Sequence, residues 1–294
     1  VCQSACDLHS ISGCLFKCSY CFLEDYLNIM LDLEEWARHV SAAVDAHPAQ
    51  GLWKYDNQSD ILPFEPEYGV SEILVPLFAR KPRAWLMHYT KSDHVEHLLD
   101  LEHNGHTIVC WSLAAHTQSR RIEVDAAPDD ARIAAGHTCQ QAGYPVRYRL
   151  SPIVPVRNWR DEYRDLIGRL LSSVRPDVIS IQTLSRFPDY DIVERIIDTD
   201  LLDERFLAAM RERPADVQGK TYGPIPHALR REVYEFVLGE IRRHDPHVPV
   251  SLCLESSGMW DDMEATLGLD RRAYPCCCGP RCVPGDPLMV PSNA

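Results

Sequence analysis

Cys14, Cys18 and Cys21 stand in the run Gly13-Cys14-Leu15-Phe16-Lys17-Cys18-Ser19-Tyr20-Cys21-Phe22, a C-x3-C-x2-C spacing. Three thiolates on one short loop can each hold one iron of a cubane [4Fe-4S] cluster, leaving the fourth iron open to a small molecule. A structural zinc site needs a fourth ligand and usually comes as paired C-x2-C knuckles. Here the first gap is three residues and no second knuckle follows at the usual distance, so zinc and free thiols stand only as alternatives. A second group, Cys276-Cys277-Cys278-Gly279-Pro280-Arg281-Cys282, sets four thiols in seven residues. Thiols at that density carry an oxidation hazard, which points to a use for them. The competing uses are an auxiliary iron–sulfur cluster (with Cys2 and Cys6), a soft ion such as zinc or a trivalent metalloid, and redox-active thiols; an inert tail is the bland reading. Cys110, Cys139 and Cys253 lie singly in predicted elements and read as small core residues.

The elements that must position these groups follow from the apolar pattern. Short β-rich runs at Leu8–Gly13, Gly51–Asp56, Ala84–Thr90, Thr107–Leu113, Val146–Pro152, Val178–Thr183 and Val248–Glu255 alternate with amphipathic stretches. The latter cover Leu33–Ala46, His94–His103, Asp129–Ala142, Trp159–Val174 and His227–His244. That alternation predicts an α/β fold with a parallel sheet, in the form of a partial (β/α)6-type barrel over residues 1–260. Pro188–Pro226 reads as an insertion with helices at Ile192–Thr199 and Asp203–Glu212 and a Gly/Pro-rich turn at Gly219–Pro226, whose Tyr222 could close over a substrate or pack on the rim. Residues 261–294 read as an irregular, Cys-rich C-terminal extension. Chemistry in barrels of this kind sits at the C-terminal edge of the strands, and the cysteine loop follows the first of them.

Composition narrows the partners. The chain has 294 residues, 45% of them hydrophobic and 25% charged, with a net charge of −13. An acidic balance disfavours a long polyanionic substrate, because grip on duplex DNA comes from neutralising phosphates. No apolar run approaches the ~20 residues that span a bilayer. Twelve cysteines without a targeting signal fit metal or redox chemistry in the cytoplasm better than a disulfide framework. His94, His97 and His103 are spaced like one helix face and its end, where a solvated or capping role outweighs a zinc pair.

The cysteine spacing, with aromatic Tyr20 just before the last cysteine, resembles that of the radical S-adenosylmethionine (SAM) enzymes. Further segments resemble spore photoproduct lyases: Tyr89-Thr90-Lys91-Ser92-Asp93-His94, Trp111-Ser112-Leu113, Ala142-Gly143-Tyr144-Pro145, Ser151-Pro152-Ile153 and Pro249-Val250-Ser251-Leu252-Cys253-Leu254-Glu255-Ser256. The similarity runs from about Gly13 to Trp260. It implies the partial radical SAM barrel, a [4Fe-4S] cluster on Cys14, Cys18 and Cys21, and reductive cleavage of SAM. Position by position, Lys91 and Ser112 resemble the groups that hold the SAM carboxylate, Ser59 and Asp60 those near its amino group, and Tyr20 a cofactor contact. These types suit the task, since a carboxylate takes an ammonium and a hydroxyl, and an ammonium takes a carboxylate.

The departures matter as much. In the lyases a cysteine two residues before that serine returns a hydrogen atom to the substrate radical; Asn57 stands there in this chain. The stretch Ala215–His227 offers Lys220 as its cation before Arg230 and Arg231. The expectation is therefore a radical SAM enzyme of lyase or transferase type acting on a small molecule of natural-product biosynthesis, served by an electron donor such as flavodoxin or ferredoxin. Two alternatives remain: transfer of an aminocarboxypropyl group from SAM to a thiol-bound As(III), and DNA repair.

Overall fold

The computed structural model describes residues 2–3, 5–23, 26–187 and 189–289. Seven strands form one sheet: β1 (Cys6–Leu8), β2 (Leu52–Tyr55), β3 (Trp85–Thr90), β4 (Thr107–Ser112), β5 (Val146–Ile153), β6 (Ile179–Thr183) and β7 (Val250–Leu252). They lie side by side in chain order, and every pairing is parallel. A parallel neighbour needs a crossover, and the crossovers pack along one face of the sheet. The product is an open, curled half-barrel of α/β class, as the alternation predicts.

The helices are α1 (Leu33–Ala46), α2 (Val70–Ala79), α3 (His116–Arg121), α4 (Asp129–Gln141), α5 (Trp159–Ser173), α6 (Tyr190–Ile196), α7 (Glu204–Arg211), α8 (His227–His244) and α9 (Ser257–Leu267). Among the described residues, no helix is long and apolar enough to cross a membrane. Outward strand residues such as Trp53, Tyr55, Val109, Trp111, Leu150 and Ile181 join the helices in one large core. Inward residues Leu52, Met87, Tyr89, Ile108 and Cys110 form a second, smaller core inside the barrel. The central strands are buried on both faces and so read as continuous apolar runs.

Three expectations need correction. Leu8–Gly13 is not one strand: β1 ends at Leu8, and Ile11–Ser12 turns away to pair antiparallel with Asn28–Ile29. His94–His103 is not a helix and holds one 3-10 turn, Glu96–Leu98. There the Thr90 hydroxyl accepts from Ser92 N and the Ser92 hydroxyl from His94 N, so side chains take the backbone donors that a helix would use. The turn Gly219–Pro226 does not reach the mouth cavity described below, and Tyr222 stacks on the Arg230 guanidinium, 4.8 Å away. The insertion instead joins the outer layer, with Phe206 edge-on to Trp159 and Glu232 of α8 bridging Arg160 and Arg205. Its first residue, Pro188, lies outside the described residues, as do residues 290–294 of the extension.

The extension, expected to be irregular from residue 261, carries α9 on to Leu267; beyond Gly268 it is largely irregular and packs against the barrel. It runs beneath the barrel at the N-terminal ends of the strands, where Gly51 N and Leu52 N both donate to Pro280 O at 2.9 and 3.2 Å. Arg147, inward on β5, is the anchor. It pairs with Asp177 at 2.8 and 3.0 Å and donates to Cys277 O at 2.9 Å and Cys282 O at 2.7 Å. At Gly279 a Cβ would lie 2.0 Å from Gln3 Oε1 and 2.7 Å from Cys282 Sγ, so both side chains would have to shift.

Candidate active site

The opposite, C-terminal end of the sheet opens into a cavity with about 1100 Å³ of atom-free space. Cys14, Cys18, Cys21 and Tyr20 line it from the loop after β1. Asn57, Ser59 and Asp60 enter from the loop after β2, Lys91 from the end of β3, and Ser112 from the end of β4. Residues up to ninety-eight positions apart in the sequence thus line one cavity.

The loop is held by its backbone. Lys17–Cys18 pairs antiparallel with Glu123–Val124, Ser19 N donates to Ile122 O at 2.8 Å, and Gly13 N donates to Gln58 O at 3.0 Å. Gly13 is obligatory, because its φ is +93° and a Cβ would overlap Tyr26 O at 1.9 Å. Burial pushes the Cys14 thiol up to about 11 and the Cys18 thiol up to about 12, so both are protonated until a ligand displaces the proton. Among the described residues, no three thiol, imidazole or carboxylate groups converge tightly enough to hold a single ion. Three thiols on one loop at the cavity suit a multinuclear cluster, in which each sulfur takes a different iron.

Asp60 is buried and fixed, accepting from Thr90 Oγ1 at 2.8 Å and Lys91 N at 2.5 Å. Burial pushes its carboxyl up to about 6. The adjacent Ser59 hydroxyl is buried without a hydrogen-bond partner, a cost that a bound ligand would relieve. Lys91 Nζ lies 5.9 Å from the Tyr20 ring centroid. The Tyr20 hydroxyl donates to Glu123, which pairs with buried Arg132 at 2.6 Å. Burial alone would raise the Glu123 carboxyl, but Arg132 and Lys91 hold it below its ordinary value. Arg132 also donates to Ser112 O at 2.9 Å, so one buried chain of contacts ties the cysteine loop to β4.

Reading the sequence missed Tyr89, Arg149, Ser151, Gln182 and Arg186, which also line the cavity. Tyr89, Arg149, Ser151 and Gln182 are signalled by the inward phase of β3, β5 and β6, while Arg186 lies past the end of β6 and has no such signal.

The tail cysteines are not at this mouth. Cys276, Cys277 and Cys282 are buried in the floor, and Cys278 is partly so. A hydrogen bond from Cys276 pulls the Cys278 thiol down to about 5, with Arg149 and Lys54 acting in the same direction. Two cysteines expected to be solitary belong to this floor: Cys110 hydrogen-bonds Cys277, and Cys253 accepts from Arg149 Nη2 at 3.4 Å. Cys139 is an ordinary buried core residue. Of the basic residues beyond the insertion, Arg230 is buried against Glu255 at 2.8 Å and Arg231 pairs with Glu235 at 2.8 Å.

Comparison with known proteins places the chain. The family model described as spore photoproduct lyase matches residues 5–185. Spore photoproduct lyase of Bacillus subtilis is 28% identical over 174 residues, covering 57% of this chain and 51% of the relative. That of Clostridium acetobutylicum is 21% identical over 182 residues, covering 60% and 54%. The chain spans about half the length of these curated relatives. Among solved structures, a spore photoproduct lyase double mutant with bound AdoMet and dinucleoside spore photoproduct superposes with a TM-score of 0.70 at 19% identity, covering 85% of this chain and 78% of that one. Streptococcus suis SuiB bound to precursor peptide SuiA gives a TM-score of 0.56 at 13% identity, covering 90% and 52%. With its curled parallel sheet, its loop of three cysteines and a family match over more than half its length, the chain belongs to the spore photoproduct lyase family of radical SAM proteins.

Proposed function

We propose that this protein cleaves SAM reductively at a [4Fe-4S] cluster and directs the resulting radical at a small molecule. The observation that carries this reading is the common cavity of Cys14, Cys18, Cys21, Ser59, Asp60, Lys91 and Ser112. The three cysteines are the ligands for the cluster, which when bound supplies the electron that breaks a carbon–sulfur bond of SAM. Lys91 and Ser112 receive the SAM carboxylate, Ser59 and Asp60 its ammonium, and Tyr20 packs beside Lys91. The barrel walls keep water from the reacting atoms. A flavodoxin- or ferredoxin-type protein fits the role of electron donor.

A small substrate is favoured over DNA on two grounds. Asn57 lines the cavity at the position of the lyases' hydrogen-donor cysteine, and an amide has no weak X–H bond to give. Arg230 and Arg231, which follow the expected DNA-gripping stretch, are already paired with glutamates, leaving Lys220 as the cation within it. The tail cysteines serve in this reading as the barrel floor. The test is anaerobic reconstitution with iron and sulfide counted, then dithionite and SAM. Formation of 5′-deoxyadenosine or methylthioadenosine supports the reading, and absence of both overturns it. About four irons per chain is expected; about eight would put a second cluster on the tail.

A pH dependence follows from Asp60. Its folded value is raised, so its ionisation opposes folding as pH rises through about 6, while the ionised form is the one that attracts an ammonium. SAM is therefore expected to bind roughly tenfold more weakly at pH 5 than at pH 7, since about one Asp60 in ten is ionised one unit below its pKa. Titration calorimetry at the two values checks this; equal affinities would remove Asp60 from the ammonium site.

A further inference from the structure

The barrel buries three arginines completely, and each faces a carboxylate: Arg132 with Glu123 at 2.6 Å, Arg147 with Asp177 at 2.8 Å and Arg230 with Glu255 at 2.8 Å. Arg149 lies in the barrel interior between floor and cavity, yet among the described residues it has no carboxylate partner. Its Nη2 makes three long contacts, to Ser151 Oγ at 3.4 Å, Gln182 Oε1 at 3.5 Å and Cys253 Sγ at 3.4 Å. Its Nε is buried without a hydrogen-bond partner. The Tyr89 ring, 4.9 Å away, supports the guanidinium from one side. On the floor side Cys278, whose thiol is pulled down, shares its charge between Arg149 and Lys54, and the other thiols are weak acceptors. On the cavity side, among the described residues, the lining carboxylates are Asp56 and Asp60, and neither forms an ion pair with it. Asp60 is taken up by Lys91 N and Thr90, and Asp56 by His9 at 2.6 Å. Arg186, stacked 5.2 Å from the Phe22 centroid, is a second cavity cation without a carboxylate among the described residues.

Among the described residues that line the cavity, Lys91, Arg149 and Arg186 outnumber Asp56 and Asp60, inside an acidic chain. SAM offers one carboxylate, and Lys91 with Ser112 is assigned to it. We propose that the substrate is a small carboxylate, whose carboxyl group seats on Arg149 beside Ser151 and Gln182 and opposite the SAM-binding wall. This rests on the functional reading above and names the substrate class it leaves open. A guanidinium is suited to the role because its planar donors match a carboxylate pairwise.

The test uses the reconstituted holoenzyme with SAM and two probes of similar size, succinate and its neutral diamide succinamide. Calorimetry should show saturable succinate binding in the wild type and none for succinamide. In the Arg149→Gln chain succinate affinity should fall at least about tenfold, as expected when one member of an interior charge pair is removed. Arg149→Lys should recover part of it, and far-UV circular dichroism verifies the fold of each variant. No saturable succinate binding, equal binding of the two probes, or equal affinity in wild type and Arg149→Gln overturns the proposal. SAM affinity is measured on the same samples. If Arg149→Gln weakens SAM as strongly as succinate, the arginine belongs to the SAM carboxylate and the proposal fails. If succinate follows Arg149 while the wild type makes no SAM cleavage product, the functional reading fails and the carboxylate site stands.

Discussion

The Cys18→Ala chain should lose SAM cleavage to background, a fall of more than about 10³-fold, equivalent to roughly 4 kcal/mol at ~1.4 kcal/mol per factor of ten. Two thiols cannot anchor a cubane meant for three, so the defect lies in holding the electron source rather than in placing SAM. Iron per chain should fall with activity, whereas the fold should persist, because Cys18 sits in a short ladder with Glu123–Val124 outside the seven-stranded sheet. Measuring iron, 5′-deoxyadenosine and the thermal melt on one preparation separates the outcomes. Normal iron with normal product in Cys18→Ala would remove the loop from the chemistry. Ser59→Ala should behave differently, keeping its iron and losing SAM affinity, since it removes one hydroxyl facing the site.

The second large effect concerns stability. Arg147→Met should destabilise the chain by about 3–5 kcal/mol, the range for breaking a buried ion pair from one side. Asp177 loses its counterion, and the carbonyls of Cys277 and Cys282 lose the donors that pin the tail beneath the barrel. At ~2–4 °C per kcal/mol for a chain of this size, the melting temperature should drop by on the order of 10 °C. Urea unfolding followed by circular dichroism tests it. A change under about 1 kcal/mol would mean that the floor is held by its apolar contacts alone. The tail should also become more open to thiol reagents in the variant, with Cys277 and Cys282 reacting first.

Much of this architecture is legible in the residues, and the failures have physical causes. The inner strands could be read because both faces are buried, giving unbroken runs such as Thr107–Ser112. Helix α2 went unread because it is apolar on nearly every side and contains Pro76; its first turn is held from outside by Glu65, which accepts from Ser71 N at 3.0 Å. Helix α9 carried a readable start at Ser256 and a stop at Gly268, φ +69°, which the reading passed over. The histidine spacing at 94–103 imitated a helix that the hydroxyls of Thr90 and Ser92 prevent. In the site, the cysteine loop announced itself because its spacing is local. Arg149, Gln182 and the docking of Cys277 did not, because their meaning arises only when β3, β5 and β6 curl around a shared interior. The cysteine-rich end looked like a loose appendage for the same reason: short-range pattern says nothing about what lies 130 residues upstream.

The stopper under the barrel comes from residues 274–289, so the ribosome delivers it only after all seven strands of the sheet. The cysteine loop leaves the exit tunnel before the stopper and waits for more than 250 residues until the lumen is sealed from below. During that interval the nascent sheet presents Met87, Ile108 and Arg147 to water at its base. Chains that terminate early would display this wet, sticky hollow, and quality control would have a direct signature of incomplete synthesis.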